Sequence, residues 1–322
     1  MKAIVFTQYG PPTKVMRLAE VERPVPKADE VLIHVRAAAV NDWDWEMVRG
    51  RQWIMRLLIG LRKPKIRIPG VDVAGEVIEV GENVRRFKPG DAVYGDLSEN
   101  GFGGFAEYVC AKENALVHKP GNMSFEQAAA IPHAAILAVQ GLFHQRQIQP
   151  GQKVLINGAG GGVGTFAIQL IRELGADLTA VDSADKLPLL RQMGYQHVID
   201  YQQEDFTCNG QQYDLILDTK TNRSPFAYAR SLKQGGTYAT VGGSIPRLLS
   251  ILMTSPIISL FQKKKLRIVS LKPNRDLQLI NQLFEQGKIR PVIDGPYSLK
   301  EIPELIQYFG AGKHTGKVVI RI

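Results

Sequence analysis

The spacing of apolar positions changes character along the chain. Over residues 1–125 short runs rich in Val, Ile and aromatics alternate with Pro- and Gly-bearing turns. The runs are Lys2–Phe6, Glu30–Val40, Asp72–Val80, Asp91–Tyr94 and Phe105–Ala111; Pro11-Pro12, Pro24–Pro26, Gly81 and Pro89-Gly90-Asp91 punctuate them. This predicts a twisted β-barrel-like domain with few helices. At Ser124-x-x-Gln127, a capping-box start, the period becomes helical through Ala138–Phe143. From residue 154 onward short, nearly continuously apolar strands (154–157, 178–181, 197–200, 213–218, 237–241, 266–271) are interleaved with helices (164–174, 185–193, 225–233). That alternation predicts a doubly wound parallel sheet with right-handed crossovers, so the fold class is α/β. Helices at 276–287 and Glu301–Phe309 and a strand at Lys317–Ile322 are expected to return to the first domain. The expected division is 1–125, 126–274 and 275–322.

Two apolar stretches stand apart from this rhythm. In Arg51–Pro69, Trp53, Ile54, Leu57, Leu58 and Leu61 fall on one helical face, with Arg56, Arg62, Lys63 and Lys65 beside them. A packed helix with a solvated basic side is the preferred reading; a lid or a membrane-surface helix are the alternatives. Leu248–Phe261 is apolar but interrupted by Thr254, Ser255, Pro256 and Ser259. It is too short and broken to span a bilayer and is expected to pack beneath a cleft or at a subunit interface.

The segment with the most chemistry is Lys153–Gly175. Val154, Leu155 and Ile156 form a buried-strand run, and Gly158, Gly160, Gly161, Gly162 and Gly164 follow. Val163, Phe166, Ala167, Leu170, Ile171 and Leu174 then mark one helix face, which Gly175 stops. Strand, glycine turn and helix in this order let a backbone approach a pyrophosphate at a helix N-terminus. Ala159-x-Gly161-x-x-Gly164 is a close variant of GxGxxG, and Asp182 follows the next strand, as a dinucleotide site requires.

At 322 residues and 44% hydrophobic content the chain has the makings of two globular domains. Two cysteines, Cys110 and Cys208, exclude a disulfide framework and a cysteine zinc site. Cys110 reads as a core residue. Met1–Phe6 reads directly as a strand rather than a secretory signal, which makes the cytoplasm the expected compartment. The net charge is +9, but the basic residues are read as scattered and no nucleic-acid motif occurs. A solvated basic surface is therefore preferred over nucleic acid or a membrane.

These residues resemble the medium-chain dehydrogenase/reductase superfamily, in its zinc-independent quinone oxidoreductase-like (zeta-crystallin-like) branch. The matching stretches include Val40-Asn41-x-x-Asp44-Trp45, Gly70–Gly81, Arg86–Asp91, Gly103–Tyr108, Ala128–Pro132, Ala159–Gly164, His197–Tyr201, Tyr213–Thr219 and Gly316–Ile320, in order over essentially the whole chain. The resemblance implies a GroES-like β-barrel domain, a Rossmann domain with the cofactor between them, and a homo-oligomer. In zinc-dependent relatives a cysteine stands at the place of Asn41, a His-Glu pair at Val71-Asp72, and a third ligand near His133. Asp72 and His133 alone make an incomplete site, so no metal is expected. Without a Lewis acid, hydride transfer to a quinone or an α,β-unsaturated carbonyl is the implied reaction. The alternatives are reduction of another carbonyl, or a nucleotide-binding sensor or structural relative without turnover.

By family position Asn41 and Asp44 border the nicotinamide, though Asp44 is equally readable as a loop brace. His133 is open to three roles: packed side chain, hydrogen-bond donor or general acid. Trp45 and Trp53 read as core, with a flat wall for a quinone as the alternative. The expected dinucleotide contacts are Ala159, Gly160, Gly161, Gly162, Val163, Asp182, Ser183, Lys186, Tyr201, Gly242, Gly243, Ser244, Lys272 and Asn274. Asp182 argues for NADH through a ribose 2′-hydroxyl. Ser183, Lys186 and Tyr201 argue for the extra phosphate of NADPH, which is narrowly preferred.

Overall fold

The structure, a computed structural model, describes residues 1–52, 56–57 and 59–322. Trp53, Ile54 and Leu58 of the expected Arg51–Pro69 helix lie outside the described residues. In chain order the strands are β1 Lys2–Phe6, β2 Met16–Glu20, β3 Glu30–Ala39, β4 Asp72–Val80, β5 Ala92–Asp96, β6 Tyr108–Lys112, β7 Val117–His118, β8 Lys153–Asn157, β9 Asp177–Asp182, β10 His197–Asp200, β11 Tyr213–Asp218, β12 Leu232–Thr240, β13 Lys265–Ile268, β14 Ile293–Ser298 and β15 Lys317–Arg321. The α-helices used below are α1 Pro12–Val15, α2 Asp42–Arg49, α3 Phe125–Ala129, α4 Pro132–Leu142, α5 Gly162–Ile171, α6 Leu187–Met193, α7 Pro225–Arg230, α8 Ile245–Gln262, α9 Leu277–Glu285 and α10 Ile302–Gly310.

The chain divides into two compact units, Met1–His133 with Pro273–Ile322, and Ala134–Lys272. The first break falls later than the expected 125/126. The reason is α3, which packs on β3 and β4 and therefore belongs with the strands that precede it. The second break precedes Asn274, which also joins the first unit.

The first unit carries a seven-stranded sheet in the order β14-β15-β3-β4-β5-β7, with β6 pairing on β3. β3 is ten residues long and pairs with β4, β6 and β15, its register with β4 shifting at Leu32/Ile33 and Val35/Ala37. Such irregularities bend a strand and let one strand serve several neighbours. Val31, Ile33, Val35, Val73 and Val93 fill one core cluster; Ile4, Phe6, Val40, Met47, Val71, Phe105 and Ile306 fill another. Trp45 packs against the second cluster under the Arg49 guanidinium, 4.1 Å from its ring.

The second unit is a six-stranded parallel sheet in the order β10-β9-β8-β11-β12-β13. Its central strands are buried on both faces, which explains their unbroken apolar runs. α8 departs from expectation. Leu248–Phe261 is not broken: it lies in one continuous 18-residue helix with Pro256 inside it. A proline costs the ladder one N–H, and the surrounding turns carry the helix across it.

Candidate active site

In the first unit, strand register gathers a buried polar cluster at one end of the sheet. Ala39 of β3 pairs with Asp72, the first residue of β4, and Asp72 pairs with Asp96, the last residue of β5. Asn41 lies two residues beyond Ala39, and Lys317 opens β15, another neighbour of β3. Asn41, Asp44, Asp72, Asp96, His133 and Lys317 are all less than a tenth exposed.

Hydrogen bonds tie the members of this cluster to one another. The Lys317 ammonium donates to Asp72 Oδ2 at 2.9 Å and to Asn41 Oδ1 at 2.5 Å. Asn41 Nδ2 donates to the same Asp72 oxygen at 3.0 Å. The backbone N–H of His133 donates to Asp72 Oδ1 at 3.0 Å. The His133 ring holds Asp96 Oδ2 through Nδ1 at 2.8 Å. Burial works against a charged His133, but the Asp96 hydrogen bond and the charges of Asp96 and Asp72 outweigh it and raise its pKa. Burial pushes Asp96 up, but His133 and Ser98 reverse this and hold it low. For Asp72 burial dominates and raises the pKa against the pull of Lys317.

Asp44 is placed by the capping box that starts α2: its Oδ2 accepts from Asn41 N at 2.9 Å. Its Oδ1 accepts from Gly70 N at 2.8 Å, tying the helix to the segment before β4. Complete burial pushes its pKa to about 7 despite both donors. Of the two roles open to Asp44, the geometry is that of a brace.

In the second unit β8 ends at Asn157 and α5 begins at Gly162 with Gly161 at the N-cap and no side-chain cap. The first-turn N–H groups therefore receive no acceptor from a capping side chain. Gly158 has φ +82°, which favours glycine, and a Cβ on Gly164 would lie 2.4 Å from Ala159. That close approach packs α5 onto the turn. Asp182 bends back onto the turn: Oδ2 accepts from Gly160 N at 2.7 Å and Oδ1 from Ser183 N at 2.9 Å. Lys186 Nζ lies 3.6 Å from Asp182 Oδ1, and both side chains are buried. Tyr201 N donates to Asp182 O, while the Tyr201 side chain is half exposed.

Gly242 O accepts from Thr240 Oγ1 at 2.7 Å and from Thr221 Oγ1, and a Cβ on Gly243 would strike Thr221. The Lys272 backbone is clamped by Gln140, whose amide donates to Lys272 O and accepts from Lys272 N, both at 3.0 Å. Asn274 makes the same kind of clamp inside the first unit: Oδ1 accepts from Asp96 N and Nδ2 donates to Asp96 O, each at 2.8 Å. The structure therefore gives the Asn274 amide a partner in the barrel. Asp96 and the Lys317 ammonium were not singled out from sequence; the available signal was a lysine opening an otherwise apolar strand. Cys110 is only partly buried, and burial pushes its thiol up to about 11, far from a reactive thiolate. Among the described residues no group of three or more His, Cys, Asp and Glu side chains is placed to hold a metal.

Comparison with known proteins agrees with this architecture. The alcohol dehydrogenase GroES-like domain family matches residues 27–121, and the zinc-binding dehydrogenase family matches residues 193–320. The chain is 33% identical over 330 residues to a 2-methylene-furan-3-one reductase of Solanum lycopersicum, spanning 99% of this chain and 79% of that one. It is 31% identical over 330 residues to a chloroplastic NADPH-dependent alkenal/one oxidoreductase of Arabidopsis thaliana, with the same coverage. The quinone oxidoreductase structure from Coxiella burnetii matches with a TM-score of 0.86 at 29% identity, covering 100% of this chain and 99% of that one. With fold, glycine turn and sequence in agreement, the chain belongs to the medium-chain dehydrogenase/reductase superfamily, in its quinone oxidoreductase-like branch.

Proposed function

We propose that this protein reduces quinones or α,β-unsaturated carbonyls with a nicotinamide dinucleotide, NADPH in preference to NADH, and without zinc. The observation that carries the reading is Lys317 between Asn41 and Asp72. Zinc is held by thiolate, imidazole and carboxylate ligands. Here an amide replaces the thiolate, and an ammonium already satisfies the Asp72 oxygen that a metal would need. The cluster is neutralised from within, so the acceptor must arrive already activated.

The glycine turn fits a dinucleotide. Its uncapped helix N-terminus suits a pyrophosphate, and the bound cofactor would supply the hydride. Both Asp182 oxygens already accept bonds from the turn, which weakens the argument it made for NADH. The Lys186 cation beside it and the exposed Tyr201 phenol favour the additional phosphate of NADPH. The names of the reductases from Solanum and Arabidopsis, one an NADPH-dependent alkenal/one oxidoreductase, support the same substrate class and cofactor.

As hydride reaches an enone or quinone, negative charge gathers on its oxygen and needs a donor. His133 is assigned that part: Asp96 fixes its ring and favours its protonated form, which can supply a hydrogen bond and then a proton. Asn41 and Asp44 hold the loop and are assigned positioning roles, because their polar atoms are engaged within the unit.

The test is nicotinamide absorbance with a quinone and with a 2-alkenal, each with NADPH and NADH, with and without a chelator. The expected result is chelator-resistant oxidation that is faster with NADPH. Activity abolished by the chelator and restored by zinc would overturn the metal-free reading. Cofactor binding without oxidation by either acceptor would overturn the assignment of substrate.

A further inference from the structure

Asn274 completes the end of a strand. In an antiparallel ladder the backbone groups of successive residues point to alternate edges. Leu97 N donates to Val71 O at 2.8 Å, toward the β4 side, so the N–H and C=O of Asp96 face the other edge. There β7 reaches only as far as Tyr94, opposite Val117. The Asn274 amide takes up both Asp96 groups, doing with one side chain what a strand would do. Gly95 leaves room for this approach: a Cβ there would lie 3.3 Å from Asn274 Oδ1 and 1.9 Å from Ala115 O. Asn274 itself has φ +63°, in the left-handed region where asparagine is one of the few enriched side chains. The segment beyond it is tied to the same edge. Asn281 Oδ1, on α9, accepts from Tyr94 Oη at 2.5 Å, and its Nδ2 donates to His118 O at 3.1 Å.

Asp96 is thereby held from three sides. Asn274 fixes its backbone, Ser98 N donates to Oδ1 at 2.8 Å, and Oδ2 holds His133 Nδ1 at 2.8 Å. With Nδ1 engaged, a proton for an acceptor must leave from Nε2, and the direction of Nε2 follows the direction of the Asp96 carboxylate.

We propose that Asn274 is a positioning residue for proton delivery: by fixing the Asp96 backbone it sets the orientation of the Asp96 carboxylate and, through it, of the His133 ring. The proposal rests on the reductase reading above, in which His133 supplies the proton. It gives the Asn274 side chain an effect on turnover and none on cofactor affinity. Burial disfavours the protonated ring; among the charged groups that face it, Asp96 on β5 and Asp72 on β4 favour that form and Lys317 on β15 opposes it. A loosened Asp96 therefore lets the ring lose its proton at lower pH.

Asn274→Gly removes the amide and keeps a backbone conformation that glycine adopts freely. With NADPH and a 2-alkenal, kcat should fall about ten- to a hundredfold, as when a reacting group is misplaced by the order of an ångström. The falling limb of its pH profile should move to lower pH, and NADPH affinity by fluorescence titration should be unchanged. In a His133→Gln background the same substitution should cost kcat nothing further. Asn281→Ala loosens α9 from the same edge without touching Asp96 and should leave kcat and its profile as in the wild type. Asn274→Asp keeps the bond to Asp96 N and loses that to Asp96 O; it should lower kcat as well, and gives the comparison if the glycine variant does not fold. Imidazole nitrogen resonances, assigned through His133→Gln, should show His133 titrating at lower pH in Asn274→Gly, a readout that needs no turnover. Unchanged kcat and an unchanged His133 titration overturn the inference. So does a loss of kcat that is repeated in full in the His133→Gln background or in Asn281→Ala, because the asparagine is then structural support only. Weakened NADPH binding with normal kcat at saturation returns Asn274 to the dinucleotide and overturns it too. Failure of the reductase reading shows differently: the wild type itself then oxidises NADPH with neither a quinone nor a 2-alkenal, and the role in proton delivery falls with it.

Discussion

The Lys317 ammonium lies 2.9 Å from Asp72 Oδ2, and both side chains are almost completely buried. Removing one partner of a buried, hydrogen-bonded pair leaves the other charged and unsolvated. Lys317→Met is therefore expected to lower the free energy of urea unfolding by about 3–5 kcal/mol. Adding Asp72→Asn should recover part of the loss, because the orphaned charge goes. A loss below about 1 kcal/mol would place the pair among weak surface bridges instead.

Under the proposed function, His133 and Asp96 are expected to set the pH dependence of turnover. The raised His133 pKa keeps the ring protonated up to a pH above the ordinary histidine value. kcat/KM should thus be flat below that pKa and fall as pH rises through it. In Asp96→Asn the falling limb should move to lower pH, and in His133→Gln it should disappear. An unchanged profile in His133→Gln would remove the ring from proton supply.

Asp44 gives a pH effect on stability. Its pKa is about 7 in the fold and near 3.8 when unfolded, so the native state binds the proton more tightly. The contribution is fully present below the unfolded value and is lost as pH rises through about 7. The stability of the wild type relative to Asp44→Asn should therefore decline between acid and neutral pH, by up to a few kcal/mol at about 1.4 kcal/mol per pKa unit. A constant difference across that window would show that the carboxyl keeps its unfolded-state pKa in the fold.

Gly161 is the N-cap of α5 in an extended conformation that any residue adopts. Aspartate is a favourable N-cap, so Gly161→Asp should fold as well as the wild type or better. The same carboxylate would repel a pyrophosphate. NADPH affinity, measured by fluorescence titration, should drop by at least about 100-fold, because a charge-assisted site becomes a like-charge one. Unchanged affinity would place the dinucleotide elsewhere.

Asp182 holds Gly160 N and Ser183 N and neighbours Lys186. Asp182→Ala should weaken NADPH and NADH together, by about tenfold each, as loss of a charge-assisted bond loosens the turn. Selective loss of NADH affinity would instead show the carboxylate meeting a ribose hydroxyl.

The sequence by itself determined the parts whose partners are close along the chain. β8, the glycine turn and α5 are contiguous, so their order and glycine spacing were enough to read the strand–turn–helix unit. The capping box at Ser124, too, was visible as a four-residue pattern and is made as expected. Strand positions in the second unit followed from apolar runs that burial on both faces demands.

Only the tertiary structure decided what depends on register and burial. Lys317 and Asp72 are 245 residues apart and meet because β3 pairs with both β4 and β15. Asn274 looked like a cofactor residue at a strand end, but its amide is used on the Asp96 backbone. Asp182 carried a local argument for NADH, and its bonds to Gly160 N and Ser183 N were not legible in the sequence. Leu248–Phe261 read as a broken apolar stretch because Pro256 and small polar residues interrupt it. Which of its apolar side chains are covered depends on how α8 seats against β13, and a residue's hydrophobicity does not say which neighbour, if any, will bury it.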